Sequence, residues 1–337
     1  QRGLSRRSAT RGVNFLPLPA PGALGILTPW GQNGEVAWSL CPIRRLPTMP
    51  LLTPQERLGT RLAERYTLLE ALGEGGNALV YRARDERLAR DVAVKLLKPT
   101  TSFQPRDAAA DLLREARTLA TLRHPHLVEI YDVDQAADET PYLVMELLQG
   151  QTLQERLLTD GGMAPPTLFE LLWPVFGALA ISHDRGVVHR DLKPGNLFLY
   201  REGGHEALKL LDFGIARAEF LNHSTTRDVV RGTPAYMAPE QLRAERCSPA
   251  TDVWALGVVC FEVLSGRLPH PGDTAAELSA SILHRPAPSL HSLRTDLPAP
   301  LCVVIDRALS KVPEARHPEM RSFARALMTA CGQAGLP

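Results

Sequence analysis

The pattern of apolar and polar positions divides the chain into unequal stretches. Residues 1–48 are rich in Pro, Gly and Arg, contain the single acidic residue Glu35, and follow no sustained period of 2 or 3.6 residues. Such a stretch buries too little apolar surface to offset the entropy of ordering, so we predict a disordered tail. Because the sequence starts at Gln1, it is either incomplete or begins before its true start, for which Met49 is a candidate.

Order is predicted to begin at Thr53-Pro54-Gln55-Glu56. This run has the form of a capping box with Pro at the first helical position, which favours a short helix to about Arg65. We therefore assign residues 49–65 to a short N-terminal helix.

Alternation and β-branched residues then predict a small antiparallel sheet. Its strands are expected at Tyr66–Leu72, Leu79–Arg84, Asp91–Leu96, Leu127–Asp132 and Tyr142–Glu146. One helix, from about Asp107 to Leu122, interrupts them, because its leucines and alanines recur on one face.

After Gly150 the pattern turns helical. Helices are predicted at Thr167–Arg185, Thr251–Leu264, Ala275–Leu283, Pro300–Leu309 and about Glu319–Ala330. The fold class is therefore α+β, a small sheet-containing lobe followed by a larger helical lobe, and residues 331–337 are expected to form a tail.

Composition narrows the function classes. The net charge of +1 gives no reason to expect nucleic acid or an anionic membrane as a partner. The five cysteines are scattered without a C-x-x-C pair, which argues against a zinc site or a disulfide framework and fits a reducing cytoplasm. We see no apolar run near the roughly 20 residues of a membrane span.

Three ordered motifs carry the chemistry. His189–Asn196 reads H-R-D-L-K-P-G-N, Asp212–Gly214 reads D-F-G, and Ala238–Glu240 reads A-P-E. By these motifs and their spacing the chain resembles the bacterial branch of the eukaryotic-like serine/threonine protein kinases. The resemblance implies a bilobal protein-kinase fold over residues 66–330, with an N-lobe at 66–147, a C-lobe at 148–330 and a hinge at Leu148–Gln149–Gly150.

The resemblance also implies an ATP site. Lys95 would hold the α- and β-phosphates and pair with Glu115, with Asp111 as the alternative. The glycine-rich turn departs from G-x-G-x-x-G because Ala78 replaces the third glycine. The remaining nucleotide contacts expected are Leu72, Gly73, Gly75, Gly76, Val80, Ala93, Met145 as gatekeeper, Glu146, Leu148 and Phe198.

For the reaction, Asp191 resembles the base that receives the substrate hydroxyl proton, and Lys193 the cation beside the moving phosphate. Asn196 and Asp212 would hold Mg²⁺, with Mn²⁺ as the substitute, through hard oxygen ligands. The resemblance further implies that Asp252 anchors the catalytic loop and that Glu240 pairs with Arg316. His189, Phe213, Leu119 and Ile130 would form an apolar stack.

Regulation is expected in the activation segment, residues 212–240. Arg190 precedes the base, and in this family such an arginine pairs with a phosphate on that segment. Thr225 and Thr226 are the leading phosphorylation sites, followed by Ser224, whereas Thr233 is expected to bond to Asp191 and Lys193. Trans-autophosphorylation would take a homodimer.

Three readings of the motifs remain open. The first is an active, cytoplasmic protein kinase that phosphorylates Ser and Thr of protein substrates. The second is a pseudokinase scaffold, and the third is a small-molecule kinase on the same fold. The segment Gly232–Glu240 argues against the third, since it resembles the peptide-docking platform of protein kinases. Gly195 gives no contact that would select an arginine in the substrate.

Overall fold

The protein is described from a computed structural model, which covers residues 53–75, 78–98, 117–213 and 234–335. The predicted N-terminal tail, Gly76, the body of the predicted helix at 107–122 and most of the activation segment lie outside the described residues. Of that helix, residues 117–122 are described, and 117–120 are helical.

The N-lobe is built on a six-stranded antiparallel sheet in the order β1-β2-β3-β4-β6-β5. The strands are β1 Arg61–Leu62, β2 Tyr66–Glu74, β3 Ala78–Asp85, β4 Arg90–Leu97, β5 Ile130–Gln135 and β6 Pro141–Met145. Tyr66, Tyr81 and Tyr142 are buried in the apolar cluster of this sheet. The predicted strands are thus confirmed, and the predicted start at Leu127 moves to Ile130.

The predicted N-terminal helix is wrong. Residues 54–59 form turns, and the chain then enters β1, which pairs with β2. The capping-box hydrogen bonds do form, because Thr53 N donates to Glu56 Oε2 at 2.6 Å. Gly59 has φ of 77°, and its N–H donates to Leu68 O across the sheet at 2.8 Å, so pairing with β2 ends the helical turn.

A second, three-stranded sheet lies in the stretch predicted to be purely helical. It consists of β7 Gly150–Thr152, β8 Leu197–Glu202 and β9 His205–Leu210. Gly150 has φ of 152°, and a Cβ there would lie 1.9 Å from Leu199 O. Only glycine therefore allows the chain to pass this close to β8 as it leaves the hinge.

The C-lobe is otherwise helical, and the five helices predicted for it are confirmed within two residues at most ends. Its helices are α1 Leu153–Asp160, α2 Pro165–Asp184, α3 Pro239–Leu242, α4 Pro249–Ser265, α5 Ala275–His284, α6 Leu290–Leu293, α7 Ala299–Ala308 and α8 Met320–Gln333. The last helix includes Cys331, which is buried, so the predicted tail begins later than residue 331.

Helix α4 runs through the C-lobe core. It is buried along almost its whole length, and Gly257 brings it so close to α7 that an added Cβ would lie 2.8 Å from Ala308 Cβ. The neighbouring helix α2 is, by length and composition alone, apolar enough to cross a membrane, the only described helix that is. Ten of its residues are buried in the core, and it packs against α8, β9 and α4.

Candidate active site

A cavity of about 700 Å³ lies between the N-lobe sheet and the three-stranded sheet of the C-lobe. Every predicted nucleotide, catalytic and metal residue within the described part of the chain lines it. These are Leu72, Gly73, Gly75, Val80, Ala93, Lys95, Met145, Glu146, Leu148, Asp191, Lys193, Asn196, Phe198 and Asp212. Residues more than 100 positions apart in sequence therefore converge on one cleft.

The pairing register of the strands positions the residues that line the N-lobe side of the cavity. Ala93 on β4 lies opposite Met145 on β6, and Lys95 lies opposite Val80 on β3. Ala93, Met145 and Val128 form a small buried apolar cluster on which Val80 packs. Together these residues form an apolar surface on which a flat aromatic ring can pack.

Lys95 pairs across the cleft. Its Nζ lies 2.7 Å from Asp212 Oδ1, and both side chains are only partly exposed. The predicted partner Glu115, and the alternative Asp111, lie outside the described residues. Asp212 sits at φ of 42°, a left-handed backbone conformation that is uncommon for a non-glycine residue.

The catalytic loop places three polar side chains together. Lys193 Nζ donates to Asp191 Oδ2 at 2.8 Å, and Asn196 Nδ2 donates to the same oxygen at 3.0 Å and to Asp191 O at 2.7 Å. Asn196 thereby uses its amide N–H groups within the loop, and its Oδ1 takes no part in these bonds. Asp191 is held by two side chains from its own loop.

Asp252 of α4 anchors this loop from below, as predicted. Its carboxylate accepts hydrogen bonds from the backbone N–H groups of His189 and Arg190 at 2.8 and 2.9 Å, and lies 2.8 Å from His183 Nε2. Arg190 adopts φ of 65°, a turn that these two bonds stabilise. Gln241, which the sequence analysis missed, adds a bond from its Nε2 to Arg190 O at 2.8 Å.

His189 is locked as a neutral imidazole. Its Nε2 lies 2.8 Å from Leu211 O, so Nε2 must donate, and its Nδ1 accepts from Asp191 N at 3.2 Å. Complete burial lowers the pKa of His189, in agreement with this pattern. Its ring packs on Phe213 with centroids 4.7 Å apart, as predicted. Leu119 and Ile130 belong to the same large apolar cluster as Phe213, and their place in the predicted stack stays a prediction.

The hinge carries an ion pair that the sequence analysis missed. Lys209 Nζ on β9 lies 2.6 Å from both carboxylate oxygens of Glu146, and Glu146 Oε1 also accepts from Glu129 N at 2.9 Å. The Glu146 N–H donates to Glu129 O at 2.9 Å. A lysine in the apolar strand Leu208–Leu211 is the signal that could have revealed this pair.

Below the cleft, the predicted ion pair between Glu240 and Arg316 is confirmed. Arg316 Nη1 and Nη2 each lie 2.8 Å from a different oxygen of Glu240, and both side chains are buried. Burial alone would raise the pKa of Glu240, but the hydrogen bonds and charge of Arg316 outweigh it and hold the pKa below its usual range. Nearby, Tyr236 donates to Glu262 Oε2 at 2.6 Å.

Of the predicted regulatory residues, only Arg190 lies within the described part of the chain. Ser224, Thr225, Thr226 and Thr233 lie outside it, and so does Gly214. Their predicted roles therefore stay predictions.

The family model "Protein kinase domain" matches residues 66–331. The chain belongs to the protein kinase domain family. The match begins at β2 and ends in α8, and it includes both lobes and the cleft between them.

Among curated proteins, the chain is similar to the serine/threonine-protein kinases PknB and PknA of Mycobacterium tuberculosis. It is 38% identical to PknB over 263 residues, which are 77% of this chain and 41% of PknB. It is also 38% identical to PknA over 275 residues, 80% of this chain and 62% of PknA. The chain thus spans about two-fifths of PknB and three-fifths of PknA.

Among solved structures, the kinase domain of Mycobacterium tuberculosis PknI, as the C20A mutant, superposes with a TM-score of 0.63. It is 26% identical, and the superposition covers 81% of this chain and 98% of that domain. The protein kinase fold of the described residues agrees with this likeness.

Proposed function

We propose that this protein is a serine/threonine protein kinase, which transfers the γ-phosphoryl group of Mg-ATP to hydroxyl groups of proteins. The observation that carries the proposal is the convergence of Lys95, Asp191, Lys193, Asn196 and Asp212 on one cleft. In phosphoryl transfer the enzyme contributes little covalent chemistry. It acts by positioning the reacting groups and by stabilising the charge on the phosphoryl group. This cleft offers a base, two cations and two oxygen ligands for these tasks.

On the acceptor side, Asp191 would orient the substrate hydroxyl and receive its proton. Lys193, 2.8 Å from Asp191 Oδ2, would lie beside the transferring phosphoryl group and stabilise the charge that develops on it. Asn196 donates to the carboxylate of Asp191, and the neutral His189 accepts from its backbone N–H, so Asp191 is fixed at both groups. The base is therefore preorganised before substrate binds.

On the nucleotide side, Ala93, Val80, Met145, Leu72 and Phe198 would enclose the adenine. The carbonyl of Glu146 and the backbone N–H of Leu148 would pair with the purine edge, and Lys95 would bind the α- and β-phosphates. For Lys95 to do so, its contact with Asp212 has to yield in part to the phosphates and to a second acid, for which Glu115 is the predicted residue.

The donor set of the cleft fits a divalent cation. Asn196 Oδ1 and the Asp212 carboxylate are hard oxygen donors of the kind that Mg²⁺ and Mn²⁺ accept. Bound there, the cation would neutralise phosphate charge. Asp212 would hold the cation, and Lys95 would bind the phosphates as its present 2.7 Å contact with Asp212 yields.

A labelling experiment tests the proposal. The full chain is incubated with ATP labelled at the γ-phosphate, MgCl₂ and a general protein acceptor such as casein, and acid hydrolysis then identifies the labelled amino acids. We expect the label in phosphoserine or phosphothreonine. We expect it to be lost in the Lys95→Met variant and when EDTA is added to the wild type. ATP binding without transfer would instead identify a pseudokinase, and label in a small molecule alone a metabolite kinase.

We further propose that the activation segment is a phosphorylation switch. The expected phosphate acceptors are Thr225, Thr226 and Ser224, and the expected partner of the phosphate is Arg190. In a transient homodimer, one copy of the chain is expected to phosphorylate the other. Phosphosite mapping after incubation with ATP, with Thr225→Ala/Thr226→Ala beside Arg190→Ala, tests this. An unphosphorylated segment, or full activity in both variants, would refute the switch. Because ATP is the donor, we place the activity in the cytoplasm.

A further inference from the structure

Lys311 differs from the other lysines in what its ammonium group faces. Four of the five lysines of the chain lie 2.6–2.8 Å from a carboxylate, in the pairs Lys95–Asp212, Lys98–Glu74, Lys193–Asp191 and Lys209–Glu146. Lys311 forms no ion pair with any carboxylate of the described residues. Its Nζ lies instead 2.9 Å from His270 Nε2.

The surroundings of Lys311 are aromatic and cationic. Its Nζ lies 5.0 Å from the centre of the Trp254 ring, and His270 stacks on that ring at 5.8 Å with the planes 2° apart. The guanidinium of Arg316 lies 5.1 Å from the same ring centre, and Arg316 Nη2 donates to Lys311 O at 3.3 Å. Arg243, an exposed residue, adds a second positive charge.

Within the described part of the chain, no carboxylate forms an ion pair with Lys311 itself. Glu240 is the acid of this region, and both of its oxygens bind Arg316. Burial, followed by the charges of Arg316 and Arg243, lowers the pKa of Lys311 to about 8. Burial, followed by the charge of Lys311, lowers the pKa of His270 to about 4.

The contact between Lys311 and His270 therefore joins two weakly basic nitrogens. Near neutral pH His270 is neutral, and a sizeable fraction of Lys311 is free amine with a lone pair on Nζ. Lys311 as a whole residue is only partly buried. Each of the other four amines lies against a carboxylate.

We propose that Lys311 is the preferred acyl acceptor of this protein and that acyl phosphates are its reagent class. The Nζ lone pair would attack the acyl carbonyl carbon and form an amide. The bond from that carbon to the phosphate oxygen would break, phosphate would leave with the bond electrons, and Nζ would release one proton to water. The positive charge of Arg243, an exposed residue, favours an acyl phosphate because its phosphate carries negative charge.

Peptide mapping tests the proposal without any measurement of kinase activity. The folded full chain is treated with acetyl phosphate at pH 7.5, and the initial rate of acetylation is measured at each lysine by mass spectrometry. Lys98 is the internal reference, because its side chain is 31% exposed and it pairs with Glu74. Lys311 should react about tenfold faster, since it has no carboxylate partner among the described residues and the gain from its lowered pKa outweighs the weaker nucleophilicity of a less basic amine.

Three controls sharpen the result. Arg243→Gln, a change at an exposed position, should slow acetylation at Lys311 and leave Lys98 unchanged. In urea the two rates should become equal, because the preference depends on the fold. A neutral acetyl thioester should show a smaller preference for Lys311 than acetyl phosphate does.

A rate at Lys311 equal to or below that at Lys98 in the folded protein would overturn the proposal. A preference that persists in urea would overturn the role of the fold. An undiminished preference with the thioester would overturn the choice of acyl phosphate.

Discussion

The two halves of the cleft are held in place by different means. In the N-lobe half, strand register positions the residues, so that Ala93 lies opposite Met145 and Lys95 opposite Val80. In the C-lobe half, buried side chains from distant helices position a loop. Asp252 binds the backbone before Asp191, and Gln241 binds the carbonyl of Arg190.

Because of this difference, nucleotide binding and phosphoryl transfer should respond differently to substitution. A sheet tolerates side-chain changes because its backbone hydrogen bonds persist, and the nucleotide half of the site rests on such bonds. The catalytic loop has few backbone partners of its own, so its geometry depends on single carboxylates and amides. We therefore expect substitutions below the cleft to affect turnover more than nucleotide binding.

The largest effect is expected at Asp191. Asp191→Asn keeps the size of the side chain but removes the proposed proton acceptor, so kcat should fall by about a thousandfold while the dissociation constant for ATP stays within twofold. Quench-flow turnover and nucleotide titration measure the two quantities. Asp160→Asn, at an exposed carboxylate of the same lobe, is the matched control. Equal loss of ATP binding in Asp191→Asn would contradict the separation.

The next effect is expected at the buried ion pair below the loop. Glu240→Gln leaves Arg316 as an unpaired buried charge, so the free energy of unfolding should fall by about 3 kcal/mol. Since the folded-state pKa of Glu240 is lowered, the carboxylate stabilises the fold above its unfolded pKa, and that stability is lost as the pH falls through the folded pKa. The variant should therefore lose less stability than the wild type on acidification below about pH 4.

Urea unfolding between pH 3 and 7 measures both features. Glu245→Gln, at an exposed acid 4.0 Å from Arg243, is the matched control and should change the unfolding free energy by less than about 0.5 kcal/mol. Should Glu240→Gln behave like this control, the pair does not stabilise the C-lobe half of the cleft.

A smaller effect is expected at Asp252, which acts on the reaction through the backbone of the loop. In Asp252→Asn, the new amide N–H group would face one of the three donors at His183, His189 and Arg190, and that hydrogen bond would be lost. The loop would then hold Asp191 less accurately, so kcat should fall about tenfold to a hundredfold. The dissociation constant for ATP should stay nearly constant. Asp273→Asn, at an exposed site, is the control, and an equal rise in the KM for ATP would argue against a role confined to the loop.

The smallest effect is expected at the hinge, where the two halves meet. Lys209→Met removes the cation that binds Glu146 at 2.6 Å and should lower the free energy of unfolding by about 1 kcal/mol. It should change the dissociation constant for ATP by no more than about threefold, because the backbone of Glu146 stays bonded to Glu129. A larger change in ATP binding would mean that side chains, too, position the N-lobe half.

Two capping-box sequences show how far local pattern predicts structure. Thr53–Glu56 and Thr152–Glu155 both form the reciprocal hydrogen bonds, with Thr N donating to Glu Oε2 at 2.6 Å in each. Only the second opens a helix, α1, because Leu153 and Leu157 behind it pack on the C-lobe core. After the first, Gly59 turns the chain into the N-lobe sheet.

The residues missed in the site have a common cause. Lys209 and Gln241 act through partners 63 and 51 positions away in sequence, Glu146 and Arg190. The β8–β9 hairpin, by contrast, is local, and its Gly203-Gly204 turn is the signal that could have revealed it. Strand β7 has only three residues and pairs with β8 from a distance, with Gly150 opposite Tyr200. No window along the chain contains both members of such a pair.

The amino-acid sequence by itself determined the strands of the N-lobe, the main helices of the C-lobe and the identity of the cleft residues. It could do so because side-chain periodicity and short polar motifs are local properties, which each segment carries with it. The tertiary structure alone decided that the first capping box yields to a sheet, that Lys95 lies against Asp212 and that Lys311 faces a histidine. Those outcomes depend on which groups meet across the core, where burial and charge decide between conformations that are locally equivalent.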